Sequence, residues 1–121
     1  MTLNDSNRYR ELENRTTTFA KQIIHLCQKF SGSRINDPLV SQVVRSSGSV
    51  GTNYREANEA LGKKDFAYRL RVARKEAKET HHWLELLIEA NQGQKVEINR
   101  LMQEADELRN ILSAIINKVV K

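Results

Sequence analysis

Four amphipathic stripes joined by short loops predict an all-α protein, an antiparallel up-down-up-down four-helix bundle. Apolar residues recur at alternating steps of three and four, the repeat of helices that pack on helices. No segment shows the period-two alternation of a half-buried strand. One proline and five glycines in 121 residues leave few breaks, so the chain reads as a single domain. An apolar fraction of 39% with 29% charged residues suits a small bundle whose outer faces are solvated.

The first helix is expected over about residues 6–30. Leu12, Thr16, Phe19, Ile23, Leu26 and Phe30 form its stripe, and Ser31-Gly32-Ser33 ends it. The second is expected over 38–61, with Asp37 as N-cap and Pro38 at the first helical position. Its stripe is Val40, Val43, Ser47, Val50, Tyr54, Ala57 and Leu61, and Gly62 closes it as a C′ residue. The third is expected over 65–91, capped by Asp65, with the turn at Gly93. The fourth is expected over 95–119, with Leu101, Ala105, Leu108, Leu112, Ile115 and Val119 inward. Helices of this length extend roughly 37 Å at 1.5 Å per residue.

The second helix carries Ser46, Ser47, Gly48, Ser49, Gly51, Thr52 and Asn53 at its middle, all poor helix formers. Two readings stay open. Small residues allow close approach of a neighbouring backbone, or they leave a polar concavity that receives a ligand or subunit. The seam resumes at Tyr54, so the helix should continue through the cluster.

The third helix offers three faces. Phe66, Leu70, Ala73, Ala77, Thr80, Leu84 and Leu87 form its seam. Val72, Glu76, Glu79 and Trp83 border that seam, which places two carboxylates at the edge of the core. Carboxylates there need a cation or amides from a facing helix. Arg45 and Asn53 are the natural partners, with Glu56 joining, so these five residues are expected to form a structural polar network. Glu76 and Glu79 also have the residue types of an acid/base pair. No phosphate loop, Ser-His-Asp set or Cys/His cluster accompanies them, so no catalytic residues are assigned.

The remaining face of the third helix is cationic: Lys63, Lys64, Arg71, Arg74, Lys75 and Lys78. Residues 62–82 hold seven Lys/Arg against three Asp/Glu, most of the chain's net charge of +5. Such a strip suits the phosphate backbone of RNA or DNA, which basic side chains neutralise without reading sequence. A solvated face interleaved with acids is the other reading. His81 and Trp83 offer aromatic surface nearby, although the position of Trp83 beside the seam fits the core better.

Glu79 and His82 make one Glu-x-x-His pair, where carboxylate-bridged di-iron bundles use two such pairs and two further glutamates. No metal site and no cofactor are therefore expected. Cys27 is the lone cysteine, which fits a reducing compartment and a small buried hydrophobe. The polar start MTLNDSNRYRELENR lacks the apolar stretch of a signal peptide, and no run approaches the ~20 apolar residues of a membrane span. A soluble, cytoplasmic protein without membrane contact is the expectation.

The run from Arg45 to Leu87 resembles the signature region of a bacterial four-helix-bundle family. That family includes proteins encoded in intervening sequences of large-subunit (23S) ribosomal RNA genes. The matching elements are Arg45, Ser49-Val50, Asn53 and Glu56, Gly62 to Lys64, Asp65-Phe66, and the segment with Lys75, Glu76, Glu79, Trp83 and Leu84. Tyr54-Arg55, with Ala57 after Glu56, departs from the smaller residues usual in that motif. The resemblance covers about half the chain closely and the first and last helices by pattern. It implies an antiparallel bundle that assembles as a homo-oligomer, in characterised members a ring-like homopentamer. A related branch, the accessory variability determinant of diversity-generating retroelements, implies RNA binding through a basic surface. The resulting expectation is a non-enzymatic, homo-oligomeric, RNA-binding accessory protein. The alternative is a protein–protein scaffold with no nucleic acid role.

Overall fold

The computed structural model describes residues 3–120, with side-chain surroundings described for residues 8–120. Four helices run in order: α1 (Leu3–Cys27), α2 (Asn36–Asn58), α3 (Lys63–Ala90) and α4 (Lys95–Val119). A single 3-10 turn, Gln92–Gln94, joins the last two. Short connections force neighbours antiparallel, and the architecture is an all-α four-helix bundle. α3 is its most embedded member, packed along both α2 and α4, whereas α1 lies on α2 and touches α4 more lightly.

The stripes become the core. Phe19, Ile23 and Leu26 from α1 meet Val43, Val50, Tyr54 and Ala57 from α2. Leu70, Ala73, Ala77, Leu84 and Leu87 from α3 meet Leu101, Ala105, Leu108 and Leu112 from α4, all fully buried. On α4 the buried residue near the end is Ile116, with Ile115 only partly covered. The stripe steps by four there instead of three, and Ile98 extends it toward the N-terminus.

The helix ends correct the sequence reading. α1 stops at Cys27, and Phe30 packs against the core from the following turn. α2 begins earlier than Pro38, and Asp37 is not its cap. The Ser33 hydroxyl accepts the Asn36 N–H at 2.8 Å, and Asp37 accepts the Ser33 N–H at 3.3 Å. These two bonds close the turn that leads into α2, whose N-cap position, Ile35, makes no side-chain cap bond, and Pro38 falls inside the first helical turn. α2 ends at Asn58, which leaves Leu61 99% exposed and outside the seam. Gly62 opens α3 instead of closing α2, at φ +149° where a side chain would be strained. Asp65 lies in the first turn of α3 and makes no cap bond.

An unexpected clasp ties the start of α2 to the end of α3. The side-chain amides of Asn36 and Asn91 donate to each other's carbonyls at 3.0 and 2.9 Å. Asn36 also reaches the Ser31 carbonyl, and Asn91 reaches that of Leu87, each at 2.9 Å. The amides thus satisfy chain ends that would otherwise be buried without partners.

The small-residue cluster of α2 divides by face. A Cβ on Gly51 would lie 3.0 Å from Thr16 Oγ1 and 3.3 Å from Thr16 Cβ, so close approach of α1 requires glycine there. A Cβ on Gly48 would meet nothing within 4 Å. Ser46 is buried, 2.8 Å from the Thr80 hydroxyl. Gly48→Ala is therefore expected to stabilise by about 0.5–1 kcal/mol through helix propensity. Gly51→Ala should gain nothing or lose stability, because the Thr16 hydroxyl is already committed to the Glu13 carbonyl at 2.9 Å. Thermal melts of the two variants check this; equal stabilisation would contradict the close approach.

Candidate nucleic-acid interface

At about 100° per residue, Lys64, Arg71, Lys75, Lys78 and His82 fall within an arc of about 60° on α3. All five are exposed. The seam packs α3 against α2 on one side and α4 on the other, so this arc is the part that faces solvent. Lys63 and Arg74 lie on the α4 side of it. Lys63 is exposed, while Arg74 is half-buried and donates to Ser113 Oγ of α4 at 3.4 Å. Lys63, Lys64 and Arg71 also line one shallow depression with Val119 and Val120. All six predicted cations thus fall on one side of α3, with Arg74 partly committed to a neighbour.

Few acids neutralise them. The closest approach is Lys75 Nζ to Glu79 Oε1 at 4.0 Å. Among the described residues Lys63, Lys64, Arg71 and Lys78 have no ion pair. Asp65 in the first turn and Glu76 and Glu79 on the α2 side lie off the arc, and Glu85 and Glu89 follow at the far end of the helix. The helix start adds to the cationic character, since no side chain caps the N-terminus of α3 and its free N–H groups favour anions.

The aromatic neighbours differ in part from the sequence reading. Trp83 is largely covered against the core. His81 turns toward α4, with Nδ1 2.9 Å from Asp106 and Nε2 3.0 Å from Glu85. The exposed rings are instead Tyr68 and His82.

The predicted polar network forms in part. Arg45 of α2 reaches across to Glu76 at 3.3 Å and Glu79 at 3.4 Å. Asn53 is held elsewhere: Arg69 donates to its Oδ1 at 3.2 Å, and its Nδ2 donates to the Ser49 carbonyl at 2.9 Å. Glu56 is exposed. It lies eleven residues from Arg45, about 16 Å along the axis, too far to share Glu76 and Glu79. The face was read correctly, but the reach along the axis was not.

The Arg45 contact is asymmetric. Glu76 is only 10% exposed at its side chain, and Arg45 is 52% exposed. Removing the acid leaves a cation that water can solvate, whereas removing the cation strands a nearly buried carboxylate. Arg45→Ala is expected to cost about 1–3 kcal/mol, and Glu76→Gln about 1 kcal/mol or less. Chemical denaturation of both variants reads the difference, and a larger loss for Glu76→Gln would reverse the assignment.

The strongest ion pairs lie on the opposite side of the bundle. Arg15 of α1 clamps Glu104 of α4 with two bonds at 2.8 and 2.7 Å, and reaches Glu107 at 3.1 Å. Hydrogen bonding to Arg15 holds the Glu104 carboxyl below its usual 4.5. A carboxyl lowered in the folded state stabilises it above the unfolded value, and that contribution is lost as pH falls through the folded value. Stability should therefore decline more steeply below about pH 4.5 in the wild type than in Glu104→Gln. The half-exposed arginine limits the effect to about 1 kcal/mol. Parallel pH–melting curves would contradict it.

Among the described residues no three His, Cys, Asp or Glu side chains gather closely enough to hold a metal ion. Cys27 is partly buried, and burial pushes its thiol up to about 11, where little thiolate forms at neutral pH. No helix among the described residues is long and apolar enough to cross a membrane.

Fold and surface together define a class: a small antiparallel helical bundle whose most embedded helix presents a cationic outer face. The chain belongs to the 23S rRNA-intervening sequence protein family, whose profile matches residues 10–114. It is similar to a crystal structure described as a protein with unknown function from the S23 ribosomal protein family of Bacteroides thetaiotaomicron. The two share 30% identity and a TM-score of 0.81, over 90% of this chain and 97% of the other. No curated protein matches the chain. Neither the family nor the neighbour indicates a catalytic activity.

Proposed function

We propose that this protein is a non-enzymatic, homo-oligomeric accessory protein that binds RNA through the exposed arc of α3. The observation that carries the reading is the run Lys64, Arg71, Lys75 and Lys78, exposed along one line with one ion pair among the described residues, Lys75 to Glu79 at 4.0 Å. Lys63 and Arg74 widen the strip toward α4. Cations so placed attract a phosphate backbone without discriminating sequence, and binding should weaken steeply with salt. Assembly into a ring, of five copies as in characterised relatives, would multiply the strip and raise avidity without new contacts. Ultraviolet crosslinking of purified protein to RNA, followed by peptide mapping, tests the surface. Crosslinks within residues 63–82 support it, and crosslinks confined to other helices overturn it.

A second reading is a protein–protein scaffold. It is favoured by a groove of about 610 Å³ where α1 and α4 touch lightly, lined by Tyr9, Leu12, Phe66, Ile111 and Ile115. A defined native mass without any nucleic acid affinity would move the assignment to this reading.

A further inference from the structure

We propose that the α3 strip takes single-stranded nucleic acid, with Tyr68 as the platform on which an unpaired base stacks. This rests on the nucleic-acid reading of the strip and adds which form of the polymer it accepts. Tyr68 is 57% exposed in the second turn of α3, so its ring does little for the core. Lys64 lies four residues before it and Arg71 three after, which makes both its neighbours on the helix surface. The guanidinium of Arg69 sits 5.8 Å from the ring centroid. Arg69 is itself held by Asn53 at 3.2 Å, so the ring has an anchored cation beside it. An exposed ring flanked by cations is the combination that binds single strands: phosphates on the charges, a base on the aromatic face.

The width of the strip points the same way. The central line of Lys64, Arg71, Lys75 and Lys78, an arc of about 60° on a helix about 10 Å across, is only about 5 Å wide, with Lys63 and the partly committed Arg74 outside it. The helices on either side are packed against α3, so it cannot enter a groove edge-on with cations on both flanks. The two backbones bordering a duplex major groove lie about 12 Å apart. The strip can follow one backbone, and one backbone is what a single strand has. His82 repeats the arrangement fourteen residues on, about 21 Å along the same line, with Lys75 and Lys78 between the two rings.

Fluorescence anisotropy with a labelled, unstructured RNA of about twelve nucleotides, and with the same sequence as a duplex, tests the inference. The full-length protein is compared with Tyr68→Ala and Tyr68→Phe. The wild type should bind the single strand more tightly than the duplex. Tyr68→Ala should weaken single-strand binding about 5- to 150-fold and leave the salt slope unchanged, because no charge is removed. Tyr68→Phe should bind like the wild type. Tyr68 is exposed, so circular dichroism should show all three equally helical. Equal affinity for single strand and duplex, or an unaltered Tyr68→Ala, overturns the platform and leaves the cationic strip standing. No binding of either RNA at low salt overturns both.

Discussion

Arg71→Glu combined with Lys78→Glu is expected to remove RNA binding while leaving helicity and melting temperature close to the wild type. Both side chains are exposed on the central line of α3, and neither has an ion pair among the described residues. Their replacement therefore breaks no structural contact, unlike Arg74, which bonds to Ser113. Each phosphate neutralised on a single strand contributes about 0.7 to the slope of log affinity against log salt. Losing two should flatten that slope by about 1.4, and the new carboxylates add repulsion. At low salt the affinity should fall at least about tenfold, since the reversed charges sit where the backbone would run. Filter binding with circular dichroism on the same samples separates a lost surface from a lost fold. Unchanged affinity in a folded double variant would place the nucleic acid elsewhere or remove it from the account.

Tyr54→Ala is expected to be the most damaging single substitution on α2, at about 3–5 kcal/mol. The ring is 1% exposed and belongs to the central cluster with residues of all four helices. It also lines the inner wall of the groove between α1 and α4. Truncation would join a new cavity to that groove at the place where the bundle is least tightly closed. Domains of this kind are stable by about 5–15 kcal/mol in all, so the variant should be marginal. Tyr54→Phe keeps the ring and should cost about 1 kcal/mol or less. Urea denaturation of both variants checks the contrast. Similar midpoints would mean that the aromatic ring contributes little to packing.

The sequence made the helical interior legible because one signal, the three-and-four spacing, reports burial directly. Ile23, Val50, Leu84 and Leu108 were readable as inward from that spacing alone. Helix ends carry a weaker signal. Leu61 continues the α2 stripe in sequence, yet the chain has left the helix by then and the side chain is solvated. Asp37 and Ser33 are both of the capping residue types, and only the backbone path shows that Ser33 takes the N–H while Asp37 answers from the next turn. Contacts between different helices were legible where one partner could be sought by burial. Glu76 at a core edge needed a cation, and Arg45 supplies it. Arg15 with Glu104, and Asn36 with Asn91, had no such signal, since each is polar and unremarkable within its own helix. The cationic strip was legible as composition. The exposure of Tyr68 depends on where α2 lies against α3, which no single-helix pattern contains.

The measurement that decides the RNA reading is the affinity of the full-length protein for a labelled, unstructured RNA across about 50 to 200 mM salt, with native mass recorded on the same samples. A homo-oligomer of constant mass should bind with an affinity that falls linearly in log–log form, with a slope that reports several phosphates. Absence of binding at the lowest salt, or binding indifferent to salt, would contradict the RNA reading.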